Sequence, residues 1–301
     1  MDWMRSLRGA IEYMEGHMTE PMGPVEVARA VNISPFYLQK GFQIITEYSI
    51  SEYIRNRRLY MAAMDLVAGE KVIDTAFKYC YQTPESFTKA FVRFHGFPPS
   101  QVKGKRMDIK PFLPLKIKIS IQGGTSMDYV IEREGPKTFI GFAESIPEGK
   151  GYEQCPKFWD KLKEEHFHAV CQGKKPETAI ERAIMENNIG MFGVCIEDEA
   201  DPSSFTYMVA GPYNGGPVPD GLTVREIPAA TWAKFRAVGP LPGSLQSINT
   251  QIFQEWLPGN PDYELAFPVN LELYDSGDTG SAGYRCYIWL PVTEKEADQE
   301  N

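Results

Sequence analysis

No run of apolar residues in this 301-residue chain approaches the ~20 that a bilayer-spanning helix needs. The opening "MDWMRSLRGAIEYMEGH" also lacks an apolar stretch ending in a small-residue cleavage site, so no secretion signal is expected there. Cysteine is scarce: Cys80, Cys155, Cys171, Cys195 and Cys286 are scattered, odd in number and without a CxxC pair. That excludes a disulfide framework and a zinc ribbon, and fits reduced thiols in a cytoplasmic protein. Histidine is scarcer still. In "HFH" (166–168), on a helix, the two rings point about 200° apart, a poor geometry for a metal, and His17 and His95 stand alone. No G-x-S-x-G, phosphate-binding loop or Cys/His pairing occurs. The expectation is therefore a chain without metal, cofactor, membrane partner or catalytic residues.

What is present is an uneven charge. Residues 1–108 hold 14 Lys/Arg against 12 Asp/Glu, +2, and residues 109–301 hold 17 against 28, −11. The chain is long enough for two domains, and the asymmetry is more informative than the net −9. Nucleic-acid affinity in the first part rests on a few cations such as Arg55, Arg57, Arg58, Lys89, Arg93, Lys103, Lys105 and Arg106.

Residues 1–108 read as helices throughout. "SPFYLQKGFQII" (34–45) and "TPESFTKAFVRF" (83–94) match at six positions of one 49-residue offset. Ser34 and Thr83 are helix N-caps, with Pro35 and Pro84 in the first turn. Leu38, Phe42 and Ile45 form one apolar face, repeated by Phe87, Phe91 and Phe94. The opposite faces then carry Phe36, Gln39, Lys40 and Gln43 in the first copy, and Glu85, Thr88, Lys89 and Val92 in the second. Gln and Lys reach base edges and phosphates. A single such helix reads as ordinary protein surface, whereas a matched pair favours DNA. Asn32, just before the first copy, tolerates the left-handed turn that ends a helix. "SISEYIRNRRLYMAAMDLVAGE" reads as a long connecting helix.

Beyond residue 108 the texture changes. Residues 109–126 read as a linker merging into an edge strand, from two prolines and the alternation Leu115, Ile117, Ile119, Ile121. Strands and helices alternate from there. "DYVIEREG" with "KTFIGFAES" reads as one strand pair, and "GLTVREIP" with "ATWAKFRAVG" as another. Each is followed by an amphipathic helix and two further strands. The expectation is a β-β-α-β-β unit in duplicate, in one sheet with paired helices over 127–293, and a charged tail at 294–301.

On "VARAVNISPFYLQKGF", "EYIRNRRLYMAAMDL" and "IDTAFKYCYQTPESFTKAFVRFHGFPPSQ", the first 108 residues resemble the AraC/XylS-type DNA-binding domain. The resemblance implies an all-α double helix-turn-helix with two recognition helices in successive major grooves of double-stranded DNA. Contacts then fall on Ser34, Phe36, Tyr37, Gln39, Lys40 and Gln43, and on Pro84, Glu85, Thr88, Lys89 and Arg93. Glu47 and Cys80 stand where that family has glycine, and Tyr81 where it has phenylalanine. On the duplicated halves, "FQEWLPG", "NLELYD" and "YIWLPV", the remainder is similar to the GyrI-like (SHS2-type) effector-binding domain, an α+β fold.

That second resemblance implies an aromatic pocket with one acid at its base, and the motif places the acid at Glu272. Strand alternation agrees, setting Glu272 and Tyr274 on one face and Leu271 and Leu273 on the other. A carboxylate among Trp159, Trp232, Trp256, Tyr152, Tyr213 and Tyr274 suits a lipophilic cation, by charge pairing and cation–π attraction. The competing reading is an exposed strand glutamate with core aromatics. The function expected is a transcription regulator, an activator working with RNA polymerase, controlled by a small-molecule effector. The rivals are a hydrolase using the carboxylate as a general base, and a module that only sequesters a drug.

Overall fold

The computed structural model describes residues 3–104, 108–117, 127–167, 175–198 and 200–295. The chain forms two compact units, Met4–Gln122, and Gly123–Asn301 together with Met1–Trp3.

The first unit is built on six helices: α1 (Trp3–Gly16), α2 (Pro24–Ala30), α3 (Pro35–Thr46), α4 (Ile50–Ala68), α5 (Val72–Lys78) and α6 (Pro84–His95). Their ends are where the local chemistry puts them. Ser34 Oγ accepts from the Tyr37 N–H at 3.2 Å and Thr83 Oγ1 from the Ser86 N–H at 3.1 Å. Ser49 and Glu52 close a reciprocal capping box on α4. Asn32, as expected, adopts a left-handed φ of 53°, and so do Glu47 (66°) and Cys80 (64°), two positions where a glycine is expected.

Helix α4 joins two separate cores. Its N-terminal half gives Ile50, Tyr53 and Ile54 to a cluster with Leu7, Met14, Leu38 and Phe42. Its C-terminal half gives Leu59, Ala62, Ala63 and Leu66 to a cluster with Tyr79, Phe87 and Phe91. Each helix-turn-helix thus has its own apolar centre, and α4 holds the spacing between them.

The expected linker behaves otherwise over its described part. Residues 108–117 form no strand and pack back on the helical unit. The Phe112 ring meets Tyr48 at 5.2 Å, Tyr53 at 5.8 Å and Phe94 at 6.1 Å. The Phe112 carbonyl accepts from Arg57 Nη1, and the Leu115 N–H donates to the Tyr53 hydroxyl. The apolar side chains read as an edge-strand face are half-buried at Leu115 and Ile117 against the first helical core, because an unpaired strand leaves them wet. Ile119 and Ile121 lie outside the described residues.

The second unit is an antiparallel sheet carrying helices. Its strands are β1 (Tyr129–Glu134), β2 (Lys137–Pro147), β3 (Phe192–Glu197), β4 (Ser204–Pro212), β5 (Thr223–Ile227), β6 (Ala230–Val238), β7 (Tyr263–Leu265), β8 (Val269–Tyr274) and β9 (Arg285–Glu294). The order across the sheet is β1-β6-β9-β8-β3-β4-β2-β5, with β7 beside the far end of β9. Helix α7 (Gly151–Leu162) follows β2, and α9 (Gly243–Gln251) follows β6; each runs on into one wider turn, Lys163–Phe167 and Ile252–Trp256. A helix not foreseen, α8 (Ala179–Glu186), precedes β3 behind a capping box at Thr178.

The expected strand pairs are exchanged. β1 does not pair with β2: it pairs with β6, and β5 pairs with β2. Each repeat lends its first strand to the edge of the other, so the halves are interlocked. Adjacency in sequence suggested hairpins, but across the two residues Gly135 and Pro136 the chain passes from the β1 edge to β2, one strand in from the opposite edge. At the centre β3 and β8 lie antiparallel, with Val194 opposite Leu271, Gly193 opposite Glu272 and Cys195 opposite Asn270. "GVCIED" and "NLELYD" are corresponding segments of the two repeats, so this register places a pseudo-twofold axis through Val194 and Leu271.

Candidate functional site

Strand parity decides which side chains can meet. Residues directly opposite one another across the ladder share a face, and successive residues alternate. Glu272 lies opposite Ile288, which lies opposite Phe235, so all three share the face bearing α7 and α9. Leu271 lies opposite Trp289, and Trp289 opposite Lys234, so these share the other face with Trp232.

On the helix-bearing face a hydrogen-bonded group forms around Glu272. The Tyr207 and Tyr274 hydroxyls both donate to Glu272 Oε2, at 2.8 and 2.6 Å. Trp159 Nε1 on α7 donates to the Tyr207 hydroxyl at 2.8 Å, and its ring meets Tyr274 edge-on at 5.3 Å. Phe158, one residue earlier, meets the Tyr207 ring at 6.4 Å. Tyr207 is 1% exposed and Glu272 is half-buried. Burial, and then the neighbouring carboxylate, push both phenols well above the ordinary tyrosine value, because a phenolate there loses hydration and faces a negative charge. They remain neutral donors. Glu272 Oε2 is thus occupied twice, and among the described residues Oε1 takes no donor.

Of the residues expected around Glu272, the structure brings Tyr274 and Trp159 to it. Trp232 is on the opposite face, fully buried in a core with Phe139, Phe192, Leu271 and Trp289. Its parity with Lys234 rather than Phe235 forbids it from lining the Glu272 group. Trp256 packs on Phe235 and Tyr129, at the other end of the sheet order from Tyr207. The Tyr213 hydroxyl donates into its own loop, to the Gly216 carbonyl. Tyr152 is 47% exposed and accepts from Asn249 of α9. The residue sequence reasoning missed is Tyr207: "FTYMVAGPY" shows it on a strand, but only the β3–β4 register carries it toward Glu272.

The two candidate DNA helices differ. On α6, Glu85, Lys89 and Arg93 are exposed at i, i+4 and i+8, and Pro84 and Thr88 are half-buried beside them. On α3 the expected outward face does not stand clear: Phe36, Tyr37 and Gln39 are buried, and Lys40, Gln43 and Ser34 are half-buried. Helical spacing put Phe36 opposite Leu38 and Phe42, but its ring packs edge-on against Tyr37 at 5.2 Å. Lys40 Nζ then lies 5.7 Å from the centre of the Phe36 ring. Two aromatics removed from water outweigh the polar pattern around them, and Gln39, on the same turn as Phe36, goes in with them.

The cations also sort differently from expectation. Arg57 forms a bidentate pair with Glu15, at 2.7 Å on both nitrogens, and the Tyr53 hydroxyl joins at 2.6 Å. It is 5% exposed and serves the core. Arg58 is tied to the carbonyls of Met18 and Glu20. The side chains of Lys103, Lys105 and Arg106 lie outside the described residues, as do Cys171 and His168. His166 stacks on Phe142, and among the described residues no cluster of His, Cys, Asp or Glu suits a metal. Nor is any described helix long and apolar enough to cross a membrane.

Comparison with known proteins follows the same division. Residues 127–293 match the model of the GyrI-like small molecule binding domain, and residues 27–105 that of a helix-turn-helix domain. Regulatory protein SoxS of Salmonella typhimurium is 31% identical over 104 residues, 34% of this chain and 97% of SoxS. The right origin-binding protein of Escherichia coli K12 is 33% identical over 92 residues, 30% of this chain and 32% of that protein. A solved structure of SAV2435 bound to tetraphenylphosphonium covers 56% of this chain and 94% of its own, at 23% identity and a TM-score of 0.45. The chain belongs to the GyrI-like small molecule binding family and joins that domain to an AraC-type helix-turn-helix, the build of a DNA-binding transcription regulator controlled by a small molecule.

Proposed function

We propose that the protein is a cytoplasmic, non-catalytic transcription activator whose effector is a lipophilic cation bound at Glu272. The observation that carries this reading is the carboxylate held by two neutral phenols, with the Trp159 indole bonded to one and edge-on to the other. Two phenol donors on Oε2 fix the carboxylate in place, and Oε1 takes no donor among the described residues. A cation arriving there gains a carboxylate and the faces of aromatic rings, neither of which needs a hydrogen-bond donor on the ligand. A neutral molecule gains only the apolar contact.

On the DNA side, Lys89 and Arg93 supply phosphate contacts from α6, and Thr88 and Glu85, beside them on the same helix, are the base-reading residues. On α3 the corresponding residue left accessible is Lys40, since Gln39 is buried. RNA polymerase is the partner through which an activator of this kind works.

The test is calorimetric titration of the full chain with tetraphenylphosphonium. Glu272→Gln keeps the shape and removes the charge, so it weakens the cation at least tenfold and a neutral aromatic probe less than threefold. Unchanged affinity for the cation would mean the glutamate takes no part in binding, and equal loss for both probes that its charge is not what selects the ligand. Turnover of any ester probe by the purified wild type would replace this reading with a hydrolase.

A further inference from the structure

The Glu272 carboxylate reaches the Tyr207 hydroxyl by crossing over β3, and it crosses at Gly193, its direct partner in the ladder. A Cβ on Gly193 would fall well inside 3.0 Å of Glu272 Oε2 and 2.6 Å from the Tyr207 hydroxyl oxygen, with the phenol carbon behind it at 3.2 Å. The space the carboxylate occupies is the space any other residue's side chain would fill.

The pseudo-twofold supplies the comparison. Its operation carries Gly193 onto Asn270 and Glu272 onto Cys195. On that side the niche is filled: Asn270 is fully buried and its Nδ2 lies 3.9 Å from Cys195 Sγ. One framework therefore holds two equivalent niches. One is emptied by glycine and crossed by a carboxylate; the other is closed by an amide against a thiol.

We infer that Gly193 is the positioning residue of the effector site, and that the duplicated domain holds one charge site because the related niche has asparagine in place of this glycine and Cys195 in place of the acid. This rests on the functional reading above and names the residue that shapes its site. Any side chain at 193 pushes the carboxylate off the Tyr207 hydroxyl, so the charge is displaced without being removed. A shorter acid relieves the carboxylate's part of the clash, because one methylene less withdraws it from the new Cβ, and leaves only the Tyr207 hydroxyl, 2.6 Å away, to shift.

The experiment is titration of the full chain with tetraphenylphosphonium, with circular dichroism as the check on folding. Wild type binds one cation per chain. Gly193→Ala weakens it at least tenfold, and Gly193→Ala/Glu272→Asp recovers at least threefold of that loss. A merely structural glycine would show no such recovery. Cys195→Ala stays within twofold of wild type. If Gly193→Ala does not fold, Glu272→Asp alone decides: with Gly193 in place it abandons the niche and weakens binding at least fivefold. Wild-type affinity in Gly193→Ala or in Glu272→Asp, no recovery in the double variant, or two cations per chain overturns the inference. If Glu272→Gln weakens the cation and Gly193→Ala does not, only the niche is wrong. If Glu272→Gln leaves affinity unchanged, or wild type does not bind, the functional reading falls with it.

Discussion

Both units of this protein are duplications, and they have diverged in different ways. In the helical unit the two copies keep the same local chemistry: a hydroxyl cap, a proline and three apolar residues at matching positions on α3 and α6. What differs is exposure, since α6 presents Lys89 and Arg93 while α3 buries Phe36, Tyr37 and Gln39. In the sheet unit the copies keep their register about a pseudo-twofold axis and differ in chemistry, with Glu272 over Gly193 on one side and Cys195 against Asn270 on the other. A helix recruits its function from residues along one short segment, so its repeat is visible in sequence. A sheet recruits its neighbours across strands, so exchanges at two partner positions change which side chains meet.

The largest effect that can break this comparison comes from the sheet. Tyr207→Phe removes the hydroxyl that donates to Glu272 and accepts from Trp159, leaving an indole N–H without its partner. It should cost about 2 kcal/mol in urea denaturation, and weaken tetraphenylphosphonium as well. The register makes Ile288 the corresponding residue of the other half, and Ile288→Val should cost about 1 kcal/mol with ligand affinity unchanged. If both variants weaken the ligand alike, the halves are functionally equivalent and the contrast is lost.

The next effect separates the two helices. Lys89→Ala removes an exposed cation and should reduce the slope of log K against log salt by about one unit on any duplex. Lys40→Ala should change the slope less, because that ammonium lies over the Phe36 ring. Fluorescence anisotropy of a labelled duplex at several salt concentrations measures both. Equal slopes for the two variants would show the helices meeting DNA in the same way.

The smallest effect lies at the helix ends. Glu47 follows α3 and Cys80 follows α5, both in left-handed backbone, which a side chain makes unfavourable. Glu47→Gly and Cys80→Gly should each stabilise the helical unit by about 0.5 kcal/mol, as the relief of strain narrowly exceeds the added freedom of the unfolded chain. A thermal melt of each variant reads the sign.

Much of the helical unit was legible because its determinants are near one another in sequence. Caps at Ser34 and Thr83, the turn at Asn32, the connecting α4 and the two Phe/Leu stripes are all events within one or two turns of helix. Duplication in the second unit was legible too, as was the alternation that sets Glu272 and Tyr274 together. Three things were not. Strand partners are chosen by sheet topology, so nothing in "DYVIEREG" announces that it pairs with β6. The face of Trp232 depends on register, where a shift of one residue reverses it. Arg57 looked like a DNA-facing cation until Glu15, 42 residues away, was found paired to it.

The sequence by itself determined the helices and their ends, the fact of duplication in both units, and the strand alternation that sets Glu272 and Tyr274 on one face. These follow from interactions a few residues long, or from a repeat that can be read directly. Tertiary structure alone decided that each sheet repeat gives its first strand to the other, that Trp232 and Glu272 lie on opposite faces, and that Tyr207 and Gly193 complete the carboxylate's surroundings. The reason is physical: a strand's side chains acquire neighbours only when backbone hydrogen bonds fix a partner and a register, and that choice is made by burying the whole sheet rather than by any one of its segments.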